Sequence, residues 1–195
     1  MTTSVYFDLD GTLLTYETSF SDLFARTLPV EATEAMVETY SGRVLKALTE
    51  QHPEPYRWAF EGVCEAFGLS ADPGDLAEEY VRREVAATRV PASVHRLVEA
   101  VASRHPTGIL TNGHGPTQRA KLTEHGLDGT VDAVLVSNEL GTRKPEPGIF
   151  EAARERLPAD THVYVGEEDH AAPVAAEGTE ALAALLVPLL DDADR

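Results

Sequence analysis

Four short apolar, β-prone runs constrain this chain more than any other feature. They are SVYFD (Ser4–Asp8), TGILTN (Thr107–Asn112), VDAVLVS (Val131–Ser137) and THVYVG (Thr161–Gly166), and each gives way to polar residues. Between the last three lie two helical stretches, PTQRAKLTEHG (Pro116–Gly126) and PEPGIFEAARERL (Pro145–Leu157). Prolines sit near their starts, and Gly126 ends the first. Strands alternating with helices predict an α/β fold, a parallel sheet covered by helices on both faces.

One region breaks that rhythm. From about Ser19 to Thr88 the signals are helical only: EATEAMVETYSGRVLKALTEQ, PYRWAFEGVCEAFG and DPGDLAEEYVRREVAA all carry apolar residues at helical spacing. PASVHRLVEAVASR (Pro91–Arg104) restores the alternation. The expected organisation is an α/β core of residues 1–17 and 89–195, interrupted after its first strand by an all-helical insert at 18–88, within the usual size of a small domain. TEALAALLVPLL (Thr179–Leu190) reads either as a helix or as a last strand and helix split at Pro188.

Composition narrows the function. No stretch of about 20 apolar residues exists, so no membrane span is expected. The start lacks the basic-then-apolar pattern of a secretory signal. Cys64 is the only cysteine, which excludes an intramolecular disulfide and suits a reducing cytoplasm. The formal net charge is -17, and Lys46, Lys121 and Lys144 are the only lysines. Such a chain repels nucleic acid and anionic membranes at long range. Disorder is the other reading of that charge, and the apolar content and regular periodicity argue against it. The expectation is a halophilic protein, whose dense surface carboxylates keep it soluble while salt screens their repulsion. Oligomeric state is not written in these features.

In an open parallel sheet, ligands bind beyond the carboxyl ends of the strands. The first run ends in Asp8, Asp10, Gly11 and Thr12, and the second in Thr111, Asn112 and Gly113. Lys144 follows the third, and Glu167, Glu168 and Asp169 follow the fourth. One carboxylate there can act as a nucleophile. A second, two residues on, can protonate a leaving oxygen and then activate water. A hydroxyl and backbone N–H groups of Thr111, Asn112 and Gly113 can hold phosphate oxygens. A lysine can offset the packed negative charge. Oxygen ligands of this kind suit Mg²⁺.

In that order FDLDGTL, LTNG, KPEP and VYVG followed by acids resemble the motifs of the haloacid dehalogenase superfamily of phosphohydrolases. The likeness runs along essentially the whole chain. TNGHGPTQRAKLTEHGL and VSNELGTRKPEPGIF are most similar to the branch that contains pyrimidine nucleotidases and N-acylneuraminate phosphatase. The resemblance implies a Rossmann-like core with a mobile helical cap. It implies Asp8 as nucleophile, Asp10 as general acid/base and Lys144 as the residue that steadies nucleophile and phosphate. Thr111, Asn112 and Gly113 would bind the phosphoryl group. Mg²⁺ would be held by the Asp8 carboxylate, the Asp10 carbonyl and an acid of the fourth motif.

The fourth motif departs from the family pattern of Gly-Asp with a second Asp four or five positions on. Glu167 takes the first Asp position, and the second falls on Ala171 or Ala172. Glu167 and Asp169 are therefore the two candidate ligands. The expected function is a Mg²⁺-dependent phosphatase acting on a small phosphorylated metabolite. The alternatives are a 2-haloacid dehalogenase and a non-catalytic binding relative.

Overall fold

The computed structural model describes residues 1–166 of the chain. Two compact units emerge: Met1–Thr15 together with the described residues from Arg89, and Tyr16–Thr88.

The first unit is built on a parallel sheet. Its strands are β1 (Thr3–Phe7), β4 (Thr107–Thr111), β5 (Ala133–Val136) and β6 (Thr161–Val165), in the order β5-β4-β1-β6. All three pairings are parallel, with Val5 opposite Thr107 and Val163, and Leu110 opposite Leu135. Parallel pairing brings every strand's carboxyl end to one edge. After β1 the chain adds β4 and β5 on one side, then returns to add β6 on the other. That reversal makes the end of β1 the switch point where such sheets bind ligands.

Side chains alternate across β1, and each face finds its own helices. Val5 and Phe7 pack with Val98 and Val101 of α5 (Ala92–Ala102) and with Leu122 of α6 (Gly115–Glu124). Tyr6 faces the other way, with Ile149, Phe150 and Ala153 of α8 (Pro147–Arg156). The sheet is therefore covered on both faces, as alternating strands and helices require. Tyr6 lies opposite Gly108, where any Cβ would meet the tyrosine ring at 2.3 Å. The missing side chain lets the Tyr6 hydroxyl reach across and donate to the Ala153 carbonyl at 2.8 Å. A four-residue helix, α7 (Ser137–Leu140), follows β5 directly and was not anticipated from the sequence. It is too short to carry a helical period.

The second unit holds α1 (Phe20–Thr27), α2 (Glu34–Thr49), α3 (Pro55–Phe67) and α4 (Pro73–Ala86). Ser19, Thr33 and Asp72 cap the first, second and fourth by accepting backbone N–H bonds. Pro55 and Pro73 open the third and fourth at positions that have no intrahelical N–H to lose. The core is aromatic: Tyr40 lies 4.6 Å from the Phe24 and Phe60 ring centres and 5.2 Å from that of Tyr80. Two short strands outside the sequence reading, β2 (Thr15–Tyr16) and β3 (Thr88–Arg89), pair where the chain passes between units. Two-residue strands leave no alternation to detect.

Candidate active site

Asp8 is the first residue beyond β1. Its N–H donates to the Val165 carbonyl at 2.8 Å, so its backbone is held in the sheet edge. The residue is only 4% exposed. A buried carboxylate needs partners, and this one has them. Oδ1 accepts the Leu9 N–H at 2.8 Å and meets Lys144 Nζ at 2.6 Å. Lys144, 1% exposed, also donates to the Tyr164 hydroxyl of β6 at 2.7 Å.

Lys144 reaches this point from a loop, and Asn112 fixes that loop. Asn112 Oδ1 accepts the Lys144 N–H at 2.8 Å, and its Nδ2 donates to the Lys144 carbonyl at 3.1 Å. This two-way amide pair ties the end of β4 to the residue that neutralises Asp8. The Asn112 side chain is thereby committed to Lys144, a role its sequence position did not suggest.

Asp10 sits two residues past Asp8, in a turn where the Gly11 N–H donates to the Leu14 carbonyl at 3.0 Å. Its carboxylate faces α6. Lys121 Nζ lies 3.0 Å from Oδ1, and Gln118 Nε2 donates to Oδ2. Gln118 and Lys121 are three apart on one helix face. The same Gln118 Nε2 donates to the Thr111 hydroxyl at 2.8 Å, and Lys121 Nζ donates to Gln118 Oε1 at 2.9 Å. The carboxylate only accepts and the ammonium only donates, so the amide's orientation is set by its neighbours.

Gly113 has φ +141, a backbone conformation that L side chains rarely adopt. Its N–H donates to Ser137 Oγ at 3.1 Å, so in this structure the N–H expected to face phosphate is engaged by the start of α7. Arg119 on α6 forks onto Glu139 of α7, at 2.7 and 2.6 Å. Hydrogen bonding to that guanidinium holds the Glu139 carboxyl below its usual range.

The structure thus gathers Asp8, Asp10, Thr111, Asn112, Gly113 and Lys144 about the ends of β1 and β4. Glu167 and Asp169 lie outside the described residues. Gln118, Lys121, Ser137 and Tyr164 join the site without having been singled out. For Lys121 a signal existed: in a chain with three lysines, a lysine on a helix beside the motifs is as conspicuous as Lys144. Gln118 carried no such mark.

Among the described residues, no group of three His, Cys, Asp or Glu side chains forms a metal cage. Mg²⁺ rarely has such a cage; it takes one or two carboxylates and fills its octahedron with water and substrate phosphate. The buried Asp8 carboxylate and the nearby peptide carbonyls are hard oxygen donors of that class, so the donor set fits. No helix among the described residues is long and apolar enough to cross a membrane.

Comparison with known proteins bears on the family and the fold. The chain is 28% identical over 166 residues to pyrimidine 5'-nucleotidase YjjG of Escherichia coli K12, covering 78% of this chain and 70% of that protein. The HAD hydrolase YfnB of Bacillus subtilis, solved bound to magnesium, superposes with TM-score 0.61 at 22% identity, over 87% of this chain and 80% of that one. A 2-haloacid dehalogenase from Pseudomonas syringae pv. Tomato DC3000 gives TM-score 0.64 at 23% identity, over 91% and 83%. At those identities the two structures speak for the fold alone. The profile of the haloacid dehalogenase-like hydrolases matches residues 3–176, and with its strand order and rim of aspartates the chain belongs to that family.

Proposed function

We propose that the protein is a Mg²⁺-dependent phosphatase that hydrolyses a small phosphate monoester through an aspartyl-phosphate on Asp8. The observation that carries this reading is the pair of aspartates with separate cationic partners, Asp8 on Lys144 and Asp10 on Lys121. A dehalogenase needs the first of these but expels halide, which takes no proton. A phosphate ester expels an alkoxide, and a second carboxylate beside the nucleophile is the group that protonates it.

In the first step an Asp8 oxygen attacks phosphorus as the bond to the ester oxygen breaks. Asp10, which takes up a proton as the dianionic phosphate arrives beside it, passes that proton to the ester oxygen. In the second step water attacks phosphorus and gives a proton to Asp10, and the Asp8–phosphorus bond breaks to release phosphate. Lys144 offsets the negative charge that gathers at Asp8, and the Thr111 hydroxyl with the Asn112 backbone N–H holds phosphoryl oxygens. Mg²⁺ would be held by the Asp8 carboxylate, the Asp10 carbonyl and Glu167 or Asp169, and when bound would further neutralise the phosphate. The helical unit occupies the position in the chain of the family's cap, and substrate specificity is assigned to it. The substrate class is a small phosphorylated metabolite of the cytoplasm. The nucleotidase relative makes nucleoside monophosphates the first to try.

The test is phosphate release from an aryl phosphate, nucleotides, sugar phosphates and phosphoglycolate, with Mg²⁺ at high salt. Turnover that disappears in Asp8→Asn is expected. Full turnover by Asp8→Asn overturns the nucleophile, and halide release from haloacetate without phosphate release makes the protein a dehalogenase. No turnover, with no calorimetric Mg²⁺ binding, makes it a binding relative.

A further inference from the structure

We propose that Lys121 and Gln118 are positioning residues that hold the Asp10 carboxylate in one orientation for proton transfer and tie it to the phosphoryl-binding hydroxyl of Thr111. This rests on the phosphatase reading and goes beyond it by adding two residues on α6 to the machinery.

The geometry is a closed ring. Lys121 Nζ donates to Asp10 Oδ1 and to Gln118 Oε1, while Gln118 Nε2 donates to Asp10 Oδ2. The ring extends to Thr111 through Gln118 Nε2. Gln118 and Lys121 are each 2% exposed, while the Asp10 side chain remains 31% exposed. A carboxylate on a turn, left to itself, moves among rotamers. One gripped at both oxygens by a helix does not.

A purely structural account is weaker. Burying an ammonium costs several kcal/mol, and apolar residues of similar volume generally serve stability as well or better. In a chain with three lysines, two are buried against the aspartates of the first motif. Placing the acid/base is the return that such a burial offers, because a small misplacement of a reacting group costs about 10²-fold in rate.

Leaving-group dependence separates positioning from structure. A nitrophenolate leaves phosphorus without a proton, whereas an alkoxide needs the one that Asp10 gives. The quantity to follow is kcat/KM, which covers the chain of events through departure of the leaving group. The full chain with Mg²⁺ is assayed on nitrophenyl phosphate and an alkyl phosphate, as wild type, Lys121→Met and Gln118→Leu. We expect kcat/KM to fall by about 10²-fold or more on the alkyl ester and by less than about 10-fold on the nitrophenyl ester. Gln118→Leu strands no formal charge, so it carries the test if Lys121→Met does not fold, as melting curves will show. An alkyl-to-aryl ratio that stays at the wild-type value in a folded variant overturns the clamp and leaves the phosphatase reading standing. A wild type silent on every ester overturns the phosphatase reading and the clamp with it.

Discussion

Breaking the buried pair between Asp8 and Lys144 offers the most direct quantitative test of the site. The two groups are 4% and 1% exposed, and 2.6 Å separates Lys144 Nζ from Asp8 Oδ1. At an effective dielectric of about 20, two unit charges that close attract by roughly 6 kcal/mol, and desolvation of both groups consumes much of it. Removing one partner is different, because it leaves the other charge buried. Lys144→Met should therefore cost about 3–5 kcal/mol of stability. For a chain of this size that is a melting shift of roughly 6–20 °C. Asp8→Asn should also cost stability, though less, because Lys144 keeps the Tyr164 hydroxyl. The double variant removes both charges and should be more stable than the sum of the singles by about 2–3 kcal/mol. The assay is urea unfolding in EDTA with molar KCl, so that metal binding does not enter. Circular dichroism follows both units. Trp58, the only tryptophan, reports on the helical unit alone. Additivity of the two singles within about 0.5 kcal/mol would refute the reasoning, because it would show that the two charges do not depend on each other.

Burial pushes the Tyr6 phenol up from 10.0 to about 12, so folding favours its neutral form. That contribution is whole below pH 10.0 and disappears as pH rises through about 12. Tyr6→Phe should cost about 1 kcal/mol at neutral pH, for the lost bond to the Ala153 carbonyl, and should flatten the alkaline limb of the stability curve; an equally steep limb in the variant contradicts this. Melting measured across a KCl series should rise into the molar range, since a net charge of -17 repels itself and salt at 1 M screens beyond about 3 Å. A melting temperature indifferent to salt would remove the halophilic reading.

Much of the fold was legible because it is local. The four β-prone runs became the four strands of the sheet, since short apolar stretches between turns have few other stable forms. The helices of the second unit follow from apolar spacing and from proline and capping residues at their starts. The rim followed too: in a parallel sheet, a polar residue just past a strand arrives at the same edge as its counterparts. What the chain alone did not specify is which side chain grips which. Asn112 holds the Lys144 backbone across 32 positions of sequence, and Lys121 meets Asp10 across 111. Those partnerships depend on how α6 and the Lys144 loop pack against the sheet, and packing is a three-dimensional fact without a local signature. The sequence by itself determined the types of chemical group present and the edge they share. Tertiary structure decided that each of the two aspartates has its own buried lysine, because only folding makes a charge in the interior costly enough to require a partner.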